Sequence, residues 1–298
     1  MTDPTTTPAV PAATPSTPER VGVLGGGRMG AGIAHAFLLA GSRVTVVERD
    51  DEAADAARTR VLDSVAASVA RGTTDEAADA IAARLAVATD AAEFGGADLV
   101  VEAVPEDLGL KVDALTRVEA VLGADAALAS NTSSISIDVL AERLERPARF
   151  LGLHFFNPVP ASTLVEVVRG TATDGALVEQ ARGWVEAIAK APIVVHDAPG
   201  FASSRLGVAL GLEAIRMLEE GVASAEDIDT AMVLGYKHPV GPLRLTDLVG
   251  LDVRLGIAEY LAGELGERFE PPALLRRMVA EGKLGRKTGE GFHVWDAQ

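Results

Sequence analysis

Residues 21–41 read VGVLGGGRMGAGIAHAFLLAG. The apolar run Val21 to Leu24 has the character of a strand, and the stretch after Gly30 repeats apolar residues at helical spacing. Between them Gly25, Gly27 and Gly30 form G-x-G-x-x-G in the strand-turn-helix context that gives this pattern its meaning. Gly25 permits a tight turn, Gly27 lets a pyrophosphate come close to the backbone, and Gly30 allows helix and strand to pack, with Met29 inside the same cofactor loop. The amides at the helix start favour an anion. A second strand, Arg43 to Val47, ends in Glu48, eighteen positions beyond Gly30, near the spacing of the carboxylate that holds an adenosine ribose. Glu48 repels the extra phosphate of NADP and favours NAD, while Arg49 beside it pulls the other way.

Working outward, apolar runs recur at Leu85 to Ala88, Asp98 to Glu102, Ala126 to Ala129, Phe150 to Phe155, Leu164 to Val168 and Ile193 to Val195, with helical stretches between them. This alternation predicts an α/β fold, a Rossmann-like doubly wound and mostly parallel sheet. Alanine-rich sequence with charges at helical spacing from Asp50 to Arg84 predicts two exposed helices. After Pro199 and Gly200 the strands cease. RLGVALGLEAIRMLEEG, SAEDIDTAMVLG, TDLVGLDVRLGIAEYLAGELG and PALLRRMVAEG read as amphipathic helices, with Gly221 stopping one and Ser224 capping the next. The expected organisation is a flexible Pro/Thr-rich tail (1–19), a cofactor-binding domain (20–198) and an all-helical C-terminal domain (199–298) that binds substrate and forms a dimer.

In such sheets ligands bind beyond the carboxyl ends of the strands, and polar residues gather there: Glu102 and Glu106 after one run, Ser130 to Ser134 after another, His154 to Pro158 after a third. Glu166 is flanked by Leu164, Val165, Val167 and Val168, and a carboxylate so embedded needs a partner, for which His154 is the obvious choice. Ser133 offers a hydroxyl to an oxygen and His154 a proton to exchange, a combination that points to a dehydrogenase. His35, His196, His238 and His293 show no comparable grouping and read as packing or surface residues.

Composition narrows the classes. With 298 residues, 48% of them hydrophobic, the chain is long enough for two domains. Cysteine is absent, which excludes disulfides, thiolate metal ligands and a cysteine nucleophile, and no metal site is expected. A formal charge of −16 disfavours nucleic acid and anionic membrane surfaces as partners. No apolar stretch of membrane-spanning length and no signal-like start is present, so a cytoplasmic protein is expected.

Several stretches together carry a resemblance: VGVLGGGRMGAGIA, DLVVEAVPEDLGLK, SNTSS, GLHFFNPVP, the APGF segment, HPVGPLRLTDLVGLD and GRKTGEGF. From Arg20 to its end the chain resembles the short, stand-alone 3-hydroxyacyl-CoA dehydrogenases, including the 3-hydroxybutyryl-CoA enzymes of fatty acid metabolism and β-oxidation. The resemblance implies NAD as cofactor, an acyl-CoA substrate, oxidation of an (S)-3-hydroxyacyl-CoA and the reverse reduction, and a homodimer formed through the C-terminal domain. It implies His154 as general base, Glu166 as the residue orienting it, and Ser133 and Asn157 as contacts to the substrate. Glu106, Lys111, Asn131 and Lys287 fall on cofactor positions of the family, Ser64 and Arg71 on CoA positions. Ser204 stands where many relatives carry an asparagine after PGF, and a hydroxyl there changes the substrate end of the site. A distal carboxylate on the acyl group, as in 3-hydroxyadipyl-CoA, a gulonate-type polyol acid, and a non-catalytic crystallin-like NAD-binding role remain open alternatives.

Overall fold

The computed structural model describes residues 16–296, and the greater part of the expected N-terminal tail, residues 1–15, lies outside the described residues. From Thr17 on the chain is tied down. Ser42 donates its hydroxyl to the Pro18 carbonyl at 2.7 Å, and the Arg43 amide donates to the Glu19 carbonyl at 2.8 Å. Two compact units emerge, one from the residues up to Thr132 together with Ile137–Val194, the other from Ser133–Ser136 together with the residues from Val195 on.

The strands are β1 (Arg20–Leu24), β2 (Arg43–Val47), β3 (Leu85–Ala88), β4 (Leu99–Glu102), β5 (Ala127–Ser130), β6 (Phe150–Phe155), β7 (Leu164–Arg169) and β8 (Ala191–His196), ordered β3-β2-β1-β4-β5-β6-β7-β8. Pairing is parallel from β3 through β6 and turns antiparallel between β6 and β7. Helices α1 (Arg28–Leu39), α2 (Asp51–Ala70), α3 (Ala78–Ala82), α4 (Leu108–Glu119), α5 (Ile137–Ala141) and α6 (Gly175–Ala187) connect them. The central strands are apolar on both faces, as a parallel sheet covered by helices demands, and Val21, Val23, Val46, Leu99 and Val101 are buried accordingly. Aspartates start the crossover helices. Asp50 accepts from the Ala53 amide at 2.8 Å, and Asp107 accepts from Leu110 at 2.9 Å. The charged stretch from Asp50 to Arg84 forms α2 and the short α3, and α2 turns Ala54, Ala57, Val61, Val65 and Ser68 inward.

In the second unit α7 (Ser203–Glu219), α8 (Ala225–Thr230), α9 (Pro242–Val249), α10 (Leu251–Leu265) and α11 (Ala273–Ala280) surround Val208, Leu212, Ile215, Leu243, Leu251 and Leu261. Gly221, at φ 73°, ends α7, and the Ser224 hydroxyl caps α8 by accepting from the Asp227 amide at 3.1 Å. The amphipathic stretch TDLVGLDVRLGIAEYLAGELG reads as one helix and folds as two. Gly250 sits at φ 107°, a backbone state that side chains disfavour, and a Cβ there would stand 3.0 Å from Asp252 Oδ1. Buried Asp247 accepts from the amides of Phe292 and His293 and from Trp295 Nε1, each at 2.9 Å. Asp229 accepts from the amides of Leu243 and Arg244 and from His293 Nε2, the last at 2.8 Å. His293, read from the sequence as a packing or surface residue, is therefore part of a carboxylate-centred clasp.

Two predictions follow from the first unit. A Cβ at Gly30 would lie 1.7 Å from the Gly25 carbonyl oxygen, whereas one at Gly27 meets nothing within 4 Å. Gly30→Ala is expected to destabilise the fold by more than about 2 kcal/mol and Gly27→Ala to stay within about 0.5 kcal/mol, measured by urea unfolding. His35 on α1 is 3% exposed, and Nε2 pairs with Ser68 Oγ at 2.8 Å. Burial, then the charges of Arg71 and Lys190, lower its pKa from 6.5 to about 4. The unfolded chain takes up a proton below pH 6.5 and the folded chain only near 4, so the stabilisation is complete above 6.5 and is lost as pH falls toward 4. The loss should approach about 3 kcal/mol over that window, and unfolding titrations of His35→Gln should lack it.

Candidate active site

The glycine loop is shaped from its own backbone. Gly25, at φ 92°, donates its amide to the Val47 carbonyl at 2.9 Å, binding the loop to the end of β2. The contact of Gly30 with the Gly25 carbonyl presses α1 onto the loop, and Met29 packs against the core beside it. Gly27 is exposed with open space around it, and α1 begins with no side-chain cap and no acidic residue in its first turn. Its first amides are left to an external anion, so the loop fits a dinucleotide pyrophosphate. Glu48, at the end of β2, accepts from the Gly26 amide at 2.7 Å. That bond sets the expected ribose carboxylate against the loop. Arg49 is engaged instead by Asp50, at 2.9 Å on the surface.

Beyond β4 and β5 a polar cluster lies inside the protein. Glu102, with no exposure at all, accepts from the Val104 amide at 2.7 Å, from Lys111 Nζ at 2.8 Å and from Ser130 Oγ at 2.5 Å. Lys111 is 1% exposed, and its ammonium also reaches the Val104 carbonyl at 3.2 Å and Glu106 Oε2 at 3.3 Å. Glu106 in turn accepts from Thr132 Oγ1 at 2.6 Å. Lys111, expected as a cofactor contact, is a buried tie between Glu102, the Val104 carbonyl and Glu106. Glu102 was absent from the expected site residues. Like Glu166 it is a carboxylate among apolar strand residues, here at the strand's end. Asn131 spends its carboxamide oxygen on the Phe155 amide at 2.9 Å, joining the ends of β5 and β6.

His154 and Glu166 meet as anticipated. The antiparallel register of β6 and β7 sets them directly opposite, so their side chains share a face. His154 Nδ1 lies 2.7 Å from Glu166 Oε2, with Glu166 fully buried and His154 5% exposed. A carboxylate only accepts, so Nδ1 carries the hydrogen and Nε2 is the basic nitrogen of the neutral ring. The Phe156 ring stands 4.4 Å from the imidazole, tilted by 46°. The turn into β7 exposes Asn157 and is fixed by Lys190, whose ammonium donates to the carbonyls of Val159, at 2.7 Å, and Ser162.

The remaining expected residues are spread more widely. Ser64 and Arg71 lie on and just after α2, Ser64 donating to the Arg60 carbonyl at 2.9 Å and Arg71 to Ser68 Oγ at 3.2 Å. Ser133, Ser204 and Lys287 belong to the second unit. There Ser136 Oγ donates to Asp197 at 2.5 Å, Ser204 lies in the first turn of α7, and exposed Lys287 grips both oxygens of Asp252 at 2.6 and 2.7 Å. Among the described residues no group of His, Asp and Glu that could hold a metal ion occurs, and no helix is long and apolar enough to cross a membrane.

Comparison with known proteins gives concordant matches. Residues 20–198 match the family model described as 3-hydroxyacyl-CoA dehydrogenase, NAD binding domain, and residues 200–295 match its C-terminal domain. The chain is 43% identical to 3-hydroxybutyryl-CoA dehydrogenase of Mycobacterium tuberculosis, covering 93% of this chain and 98% of that one. It is 38% identical to the mitochondrial hydroxyacyl-coenzyme A dehydrogenase of Homo sapiens, over 93% and 91% of the two chains. The crystal structure of (S)-3-hydroxybutyryl-CoA dehydrogenase from Ralstonia eutropha superposes with a TM-score of 0.89 at 40% identity, covering 94% of this chain and all of the other. A buried histidine–glutamate pair, a glycine loop open to a pyrophosphate and these matches lead to one conclusion: the chain belongs to the NAD-dependent 3-hydroxyacyl-CoA dehydrogenase family.

Proposed function

We propose that the chain oxidises (S)-3-hydroxybutyryl-CoA to its 3-oxo thioester and catalyses the reverse reduction, as the names of its relatives suggest. The observation that carries this reading is the 2.7 Å bond between His154 Nδ1 and Glu166, which commits one ring nitrogen and leaves Nε2 as the proton-exchanging atom. The glycine loop with Gly25, Gly27, Met29 and Gly30 holds the pyrophosphate of NAD, Glu48 the adenosine ribose, and Glu106, steadied by Lys111, serves the nicotinamide half with Asn131 and Lys287. Bound NAD supplies the hydride acceptor.

The work of the protein is proton management. His154 Nε2 takes the proton of the 3-hydroxyl as the carbonyl forms, and the Glu166 carboxylate stabilises the imidazolium and holds the ring. In reduction the same nitrogen returns the proton. Ser133 and Asn157 hold the substrate oxygens, Ser204 borders the acyl end, and Ser64 with Arg71 contacts CoA. The helical part, residues 199–298, is the substrate and dimerisation domain. Leu206, Leu234 and Tyr236, exposed by 71%, 65% and 76%, support an apolar dimer surface on it. A cytoplasmic enzyme of fatty acid β-oxidation fits this reading.

The full-length protein should oxidise NADH when given acetoacetyl-CoA, followed at the NADH absorbance, and should be inactive toward free sugar acids. His154→Gln should lower kcat by at least about 10²-fold while NADH binding, followed by fluorescence, persists. Turnover near that of the unmodified protein would refute the assignment. Light scattering at micromolar concentration should give the mass of a dimer.

A further inference from the structure

Glu102 closes β4 with no exposure to water and takes no part in the proton chemistry of His154 and Glu166. Its bonds belong to a closed ring. Glu102 Oε2 accepts from Ser130 Oγ at 2.5 Å and Oε1 from Lys111 Nζ at 2.8 Å. Lys111 reaches Glu106 Oε2 at 3.3 Å, Glu106 Oε1 accepts from Thr132 Oγ1 at 2.6 Å, and the Thr132 amide returns to Ser130 Oγ at 3.2 Å. The ring ties the ends of β4 and β5 to α4, all within one compact unit.

The ring grips the turn between β4 and α4, residues 103–107. The Val104 amide donates to Glu102 Oε1 at 2.7 Å, and the Val104 carbonyl accepts from Lys111 Nζ at 3.2 Å. One residue of backbone is thus held from both sides by an ion pair that has three donors on its carboxylate and three acceptors on its ammonium. Across from that residue lies the glycine loop. A Cβ on Gly25 would stand 3.0 Å from the Ala103 carbonyl oxygen and 3.3 Å from the Val104 nitrogen, and the Ala103 amide donates to the Leu24 carbonyl at 2.8 Å. Any shift of Val104 is passed to Gly25, which has no side chain to absorb it. The charge at position 102 matters as well as its shape. Lys111 stands between a fully buried carboxylate and the partly exposed one of Glu106. Without the first, Glu106 is its one counterion and draws the ammonium away from the Val104 carbonyl.

We propose that Glu102 is a positioning residue for NAD: with Lys111 it clamps Val104 in the place against which the glycine loop folds, so that its loss weakens cofactor binding and leaves proton transfer intact. The inference rests on the NAD-binding reading of this domain and adds a residue that touches neither cofactor nor substrate.

The test measures NADH binding by fluorescence and the steady-state reduction of acetoacetyl-CoA, both with the full chain. Glu102→Gln keeps the shape and removes the charge, and it should raise Kd and KM for NADH by at least about tenfold, the worth of a buried bond to a charged group. Its kcat at saturating NADH should stay within about threefold, with unchanged pH dependence, because His154 and Glu166 stand on β6 and β7 outside the ring. That is the reverse of the pattern expected of His154→Gln. Ser130→Ala removes a single donor and should raise Kd by about threefold. A folded Glu102→Gln with the NADH affinity of the unmodified protein overturns the proposal even where Tm falls, since the ring is then a structural brace alone. A loss of kcat with NADH affinity intact overturns it too. Where Glu102→Gln does not fold, Ser130→Ala decides, and unchanged NADH affinity in that variant is the overturning result. An unmodified protein that binds no NADH removes the cofactor reading itself and the inference with it.

Discussion

A fully buried carboxylate facing an imidazole across two antiparallel strands is the constraint around which this molecule is organised. Glu166 has no access to water, and without His154 its charge would be stranded among Val165, Val167 and Val168. The pair exists because β7 reverses direction against β6. In that register residues 154 and 166 face one another directly, and a one-residue slip would send one side chain to each face. The parallel strands before it place a glycine loop at their carboxyl ends; the reversed strand supplies the acid that fixes one nitrogen of the histidine. The glycine loop and the histidine–glutamate pair thus come from the two kinds of pairing within one sheet.

The same logic governs the other charges placed inside the protein. Glu102 collects an ammonium, a hydroxyl and an amide. Asp247 gathers backbone amides from the C-terminal segment with the Trp295 indole, and Asp229 gathers amides and the His293 ring. Each buried carboxylate is satisfied by donors from sequence-distant elements, so each doubles as a staple. Arg254 departs from this rule, being 8% exposed with its Nε unpartnered.

Much of this was legible in the sequence where a residue type can serve one physical purpose. Gly25 lies at positive φ and Gly30 under a carbonyl oxygen, so their spacing announced the loop, and Glu166 could only be a carboxylate in search of a partner. Other features were hidden by ordinary residues doing unusual work. The helical period runs through Gly250 uninterrupted, so the break between α9 and α10 has no signature in periodicity; it lies in the backbone of Gly250, at φ 107°. The burial of Lys111 is not written in its own helix, because its partner Glu102 sits at a strand end whose burial depends on neighbours far away in sequence. The clasp of Asp247 with residues 292–295 spans so long a separation that no local pattern could disclose it.

The turn between β6 and β7 is held from outside itself. Lys190, on the approach to β8, grips the carbonyls of Val159 and Ser162, and Val159 lies over Gly32 of α1, so the backbone path through positions 156–163 does not depend on what its outward side chains are. The His154–Glu166 pair is anchored in the strands and the turn in its lysine brace, and the two meet at Phe156, whose ring stands 4.4 Å from the imidazole. Side chains presented beyond Phe156 therefore stand on a backbone path set from elsewhere, where substitution need not rebuild the strands that carry the pair.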